Sequence, residues 1–197
     1  MTSTNQSHLS VSSQAVETAK SLRNLYFSRA GFSILWVILV SVFAKTNTSI
    51  AAVLFIIYPA WDVIATYFDI QANPATSTSK APQYVNAAIS TITTVAVILA
   101  LQQDIPQALI VFGSWAILTG LIQLILGLKR RQVLPGQWPM IISGAQSILA
   151  GGAFIAMAHK PNQGITTLAG YAAFGAFYFL LAAFRLSKTV KSNTVAV

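Results

Sequence analysis

Three charged residues stand inside otherwise apolar stretches of the chain: Arg29, Asp62 and Asp69. A charge in hydrocarbon costs at least ~2.5 kcal/mol on an insertion scale, so each must find a partner or reach toward water. One guanidinium with two carboxylates offers an ion pair first and a proton-transfer site second. A turn near Thr46 and Asn47 would bring Arg29 level with about Ile64, two residues from Asp62 and five from Asp69. Asp62 and Asp69 are seven apart, two helical turns along one face. Register favours Asp62 as the partner. Asp69 is the second candidate, because Arg29 would snorkel toward that rim.

A second group is uncharged. Asn86, Gln123, Ser143 and Gln146 fall at similar depth on three successive apolar segments, and Ser90 and Thr94 continue the face of Asn86. Such groups either hydrogen-bond across helices, worth ~0.6 to 2 kcal/mol each, or line a cavity for a small solute. Catalytic chemistry is poorly provided for. A metal centre wants three or four converging His, Cys, Asp or Glu ligands. The chain has no cysteine, and His8, His159, Glu17, Asp62, Asp69 and Asp104 are scattered. Ser114 has no base within reach, since His159 belongs to the opposite rim. We therefore expect no catalytic, cofactor-binding or metal-binding residues and no cofactor. His159 reads as an ordinary loop histidine, with pH sensing as the alternative.

The elements that must position these residues are six apolar spans, at 25–44, 49–70, 84–101, 105–128, 138–158 and 164–184. A helix rises ~1.5 Å per residue, so about 20 residues match the ~30 Å hydrocarbon core. The expected fold is all-α: a polytopic membrane domain over 25–186. Composition agrees, with 55% hydrophobic and 8% charged residues, where a soluble domain carries about 25% charged residues. The net charge of +8 does not point to nucleic acid, because no soluble basic face exists to hold a phosphate backbone. Instead Lys20, Arg23, Lys80, Lys129, Arg130, Arg131, Arg185, Lys188 and Lys191 fall on one side, against Lys45 and Lys160 on the other. Positive-inside then places both termini in the cytoplasm.

Residues 1–24 form a polar tail, not a cleaved secretory signal, since the leader is long and five further spans follow. Its first 13 residues are expected to be disordered. Residues 14–26 are either an interfacial helix, with Val16, Ala19, Leu22 and Tyr26 on one side, or a frayed leader. Residues 71–83, with Pro74 and Pro82, read as a loop, and 187–197 as a cytoplasmic tail. Gly113, Gly120 and Gly127 recur every seven residues and open a groove for another helix. Ser143, Ser147 and Gly151 make a small-residue row on the fifth span, which Ala172 and Ala176 extend on the sixth. These faces join helices either within one chain or between chains. The expected partners are accordingly membrane lipids, with a second copy or another membrane protein as alternatives.

Ser33, Ser90 and Ser147 are spaced by 57 residues each time, and the same period aligns Tyr58 with Trp115 and, with a one-residue loop change, Tyr171. Three repeated helical hairpins are implied. The segment Phe112-Gly113-Ser114-Trp115-Ala116-Ile117-Leu118-Thr119-Gly120 with Lys129-Arg130-Arg131 resembles the HdeD-like acid-resistance membrane protein family. Gly136-Gln137-Trp138-Pro139, Ser143 to Ser147 and Gly170 to Leu186 are similar to it too. The resemblance covers about Tyr84 to Leu186 well and the first hairpin more weakly. Arg29, Asp62 and Asp69 have no charged counterparts in the other two repeats. The resemblance implies a six-span bacterial inner-membrane protein with a role in acid or envelope stress, and it carries over no catalytic residues. The expected function is a noncatalytic role in stress tolerance. A small channel or transporter subunit and a membrane scaffold are the alternatives.

Overall fold

In a computed structural model the chain forms α1 (Thr2–Phe43), α2 (Thr48–Ala72), α3 (Ala81–Leu101), α4 (Ile105–Arg130), α5 (Trp138–Met157) and α6 (Ile165–Val195). The structure describes residues 2–72 and 80–195, with side chains for 16–72, 80–188 and 190. Every regular element among the described residues is helical. Six helices are long and apolar enough to cross a membrane, including Val16–Phe43 of α1 and Ile165–Lys188 of α6. Backbone groups in lipid must be satisfied within the segment, which a helix does. Helix starts carry the expected chemistry: Asp104 Oδ1 accepts from Gln107 N at 2.7 Å, and proline stands in the first turn of α3, α4 and α5. Large apolar side chains such as Leu149 and Ile92 remain exposed on the outside, as a lipid-facing surface requires.

Each helix packs on the next in sequence, and α1 packs on α6, so the six close into a ring. Short connections make successive helices antiparallel. Both described chain ends therefore lie at one end of the ring, here the termini end, and the connections after α1, α3 and α5 lie at the short-turn end. The tightest seam is α4 against α5. A Cβ added to Gly113 would lie 2.7 Å from the Gly151 carbonyl oxygen, and one on Gly120 2.8 Å from both the Gly144 oxygen and Ser147 Cβ. One on Gly127 would meet Ile141 Cγ1 at 2.9 Å. The glycine heptad and the Ser147–Gly151 row thus face one another within one chain.

Two apolar clusters pack within the ring, one toward each end. Trp36, Phe55, Phe112, Trp115 and Phe154, with Tyr58 and Tyr171 against them, fill the short-turn half. Ala19, Leu22, Tyr26, Leu134, Ala183 and Leu186 fill the termini end.

Several expectations are corrected at the ends. The leader is not a separate disordered or interfacial element, because α1 is helical from Thr2 and continues into the span. The physical reason is packing: Ala19, Leu22 and Tyr26 are buried in the termini-end cluster shared with α6, not laid on lipid. The sixth span likewise continues beyond 184, to Val195. Of the expected loop at 71–83, residues 73–79 lie outside the described residues. Pro82 is in the first turn of α3, where a missing N–H costs nothing.

Candidate functional site

The structure brings Arg29 to Asp62, with Nη1 donating to Oδ1 at 2.6 Å. Asp62 sits mid-helix in α2, and its second oxygen is satisfied from α3: Asn86 Nδ2 donates to Oδ2 at 2.7 Å and Ser90 Oγ at 2.8 Å. Asn86 also donates to Thr66 Oγ1 at 2.7 Å, and Trp115 Nε1 on α4 donates to Ser90 Oγ at 2.9 Å. One connected network thus ties α1 to α4 around a single carboxylate. Burying a charge is tolerable only with such complete pairing.

Asp69 does not serve Arg29. It pairs with Arg130, whose Nη2 donates to Oδ1 at 2.6 Å, while Nη1 donates to Tyr26 Oη at 3.4 Å. The register explains the correction. Arg29 lies a turn or more deeper than Asp69, and Arg130 ends α4 at the rim where Asp69 ends α2. Arg130 counted among loop basics in the sequence, yet it lies three residues after Gly127, on the buried stripe of α4. That phase was the available signal.

The polar group of Asn86, Gln123, Ser143 and Gln146 does not form one hydrogen-bonded cluster. Asn86 joins Asp62, and Gln123 Nε2 donates to the Met140 carbonyl at 3.2 Å, across the α4–α5 seam. All four line a common cavity of about 110 Å³, together with both ion pairs. All six helices contribute to its wall. Its floor toward the short turns is aromatic, where Tyr58 Oη lies 3.4 Å from Ser33 Oγ and Tyr171 Oη 3.1 Å from Ser147 Oγ. These serines and aromatics, with Ser90 and Trp115, are the positions that the 57-residue spacing aligns.

Three of the lining residues that the sequence reading did not single out stand apart. Gln83 and Gln137 are fully buried, and neither carboxamide atom of either has a hydrogen-bond partner among the described residues. Trp61 Nε1 is a third such atom. Capping does not account for the glutamines. Gln137 stands at the N-cap of α5 without a side-chain cap bond, and Gln83 lies inside the first turn of α3. Helical phase could have found both: Gln83 shares a stripe with Asn86 and Ser90, and Gln137 shares one with Gly144, Ser147 and Gly151. His159 is exposed on the short turn after α5. Among the described residues no three His, Asp or Glu side chains converge as metal ligands.

Fold and site together define a multi-pass helical membrane protein with a closed ring of helices around a polar cavity. No family model matches the chain, and neither a curated protein nor a solved structure matches it.

Proposed function

We propose that this membrane protein is a noncatalytic solute-binding unit, a small carrier or channel subunit that holds one small polar molecule between its helices. The observation that carries this reading is the pair of buried, unpartnered glutamines on the cavity wall. An unsatisfied buried polar group costs about 1–3 kcal/mol, and a bundle built only for packing would place leucine there. The cavity is roomy by comparison with one water, which needs ~10–15 Å³ of the same volume. A solute with its own donors and acceptors would satisfy both carboxamides and Trp61.

The resemblance to HdeD-like proteins supports a setting for this activity, the bacterial inner membrane under acid or envelope stress, and the asymmetry of basic residues supports cytoplasmic termini.

The test is ligand-linked stability of the purified protein in lipid nanodiscs. A bound solute at 100 times its dissociation constant should stabilise by about 2.7 kcal/mol. The Gln83→Leu, Gln137→Leu double variant should melt no lower than the parent without ligand, and should lose the ligand-induced shift. A double variant that melts well below the parent, with no solute shifting either protein, would make the glutamines structural and end the reading.

A further inference from the structure

The cavity wall has one weak side. The α5–α6 seam is, with α1–α2, the most sparsely packed between neighbouring helices of the ring. The Ser147–Tyr171 bond sets the register of these antiparallel helices, so one turn toward the termini end Ser143 comes level with Gly175. Both residues are small and both line the cavity. A Cβ added to Gly175 would meet only Tyr58 Oη of α2, at 3.9 Å, so Gly175 faces open space within the cavity. The contrast with Gly120, where the added atom would run into backbone, is direct. Next to this gap Phe174 lines the cavity while 56% exposed on the lipid-facing surface. Phe174 thus sets cavity wall and outer surface side by side at mid-depth, where the surrounding medium is acyl chain rather than water. Along the ring axis, aromatic packing fills the short-turn half, and the α1–α6 cluster lies toward the other end.

The lining also defines the charge of what fits. Arg29 is matched by Asp62 and Arg130 by Asp69, each at 2.6 Å, so both fixed charge pairs on the wall are internally neutralised. The fully buried polar atoms that the wall leaves unpaired belong to two carboxamides, each a donor and an acceptor, and one indole donor. A charged group would enter without a counter-ion, at high desolvation cost.

We propose that the occupant is the uncharged, hydrogen-bonding headgroup of a membrane amphiphile, a polyol or amide on an acyl chain, taken up sideways between α5 and α6. The head lies against Gln83 and Gln137, and the tail leaves past Phe174 and Gly175 into lipid. This rests on the cavity being a binding site.

The experiment compares four probes on the full chain in phosphatidylcholine nanodiscs: 1-oleoylglycerol, oleamide, glycerol, and the oleoyl lysophosphatidate that adds an anionic phosphate to the first. Binding is read by displacement of radiolabelled 1-oleoylglycerol and by thermal shift. The two neutral amphiphiles should bind, with the lysophosphatidate and free glycerol weaker by at least tenfold. Gln83→Leu should weaken 1-oleoylglycerol about tenfold, which corresponds to one to two lost hydrogen bonds. Gly175→Leu should fill the gap and abolish binding while leaving the melting temperature unchanged or raised. Glycerol binding as tightly as 1-oleoylglycerol, with Gly175→Leu without effect, would overturn lateral uptake and leave a solute site open to water. Equal binding of the lysophosphatidate would overturn the neutral-head assignment. Failure of all four probes, with intact folding, would overturn this inference, while a water-soluble solute found by the broader stability screen would still uphold the site itself.

Discussion

At the scale of single residues, the Asp62 carboxylate is the most heavily committed group in the molecule. It accepts from Arg29, Asn86 and Ser90, which stand on two other helices. Breaking a buried pair by removing one partner typically costs about 3–5 kcal/mol, because the survivor is left uncompensated. Asp62→Asn and Arg29→Gln should each lower the melting temperature markedly, and the double variant should recover part of the loss. Fully additive losses in that cycle would mean the two groups do not stabilise one another. The juxtaposition of Arg29 and Asp62 was legible because few charges interrupt the apolar spans and hairpin register is simple to count. Gln83 and Gln137 were overlooked, although helical phase places each on a buried stripe, because a glutamine near a proline at a segment boundary looks like loop.

At the scale of elements, glycine does two opposite things here. In the α4–α5 seam it lets backbones touch, so Gly120→Leu must push Gly144 and Ser147 apart. Overpacking of this kind costs about 1–3 kcal/mol, and more where the obstacle is main chain. Leu121→Ile, on a lipid-facing position 42% exposed, should change the detergent melting temperature little. If both variants melted alike, the seam would not be a determinant of stability. The seven-residue period made this groove readable from sequence. Its address was not readable, since a glycine face fits a helix of the same chain or of another equally well. Element ends were the least legible, because continuation of α1 and α6 depends on each burying the other's apolar face. Propensity carries no trace of that.

At the scale of the whole molecule, the ring has an even number of spans, so both ends share a side. Nine basic residues favour that side against two opposite, with Arg29 set apart. A reporter active only outside the cytoplasm should be silent when fused at Val197 and active when inserted after Thr46; the reverse would invert every side assignment. Closure of the ring also has a consequence for how the protein is made. The α1–α6 contact joins the first of these six helices to be made with the sixth, whereas the other seams join helices made in succession. Until α6 arrives, the Ala19–Leu22–Tyr26 stripe of α1 lacks its Ala182, Ala183 and Leu186 neighbours, and the polar groups around Asp62 face an unfinished wall. The nascent chain therefore spends most of its synthesis as an open crescent. Quality-control proteases and insertion chaperones would meet it in that form, and the last helix works as the clasp that ends their access.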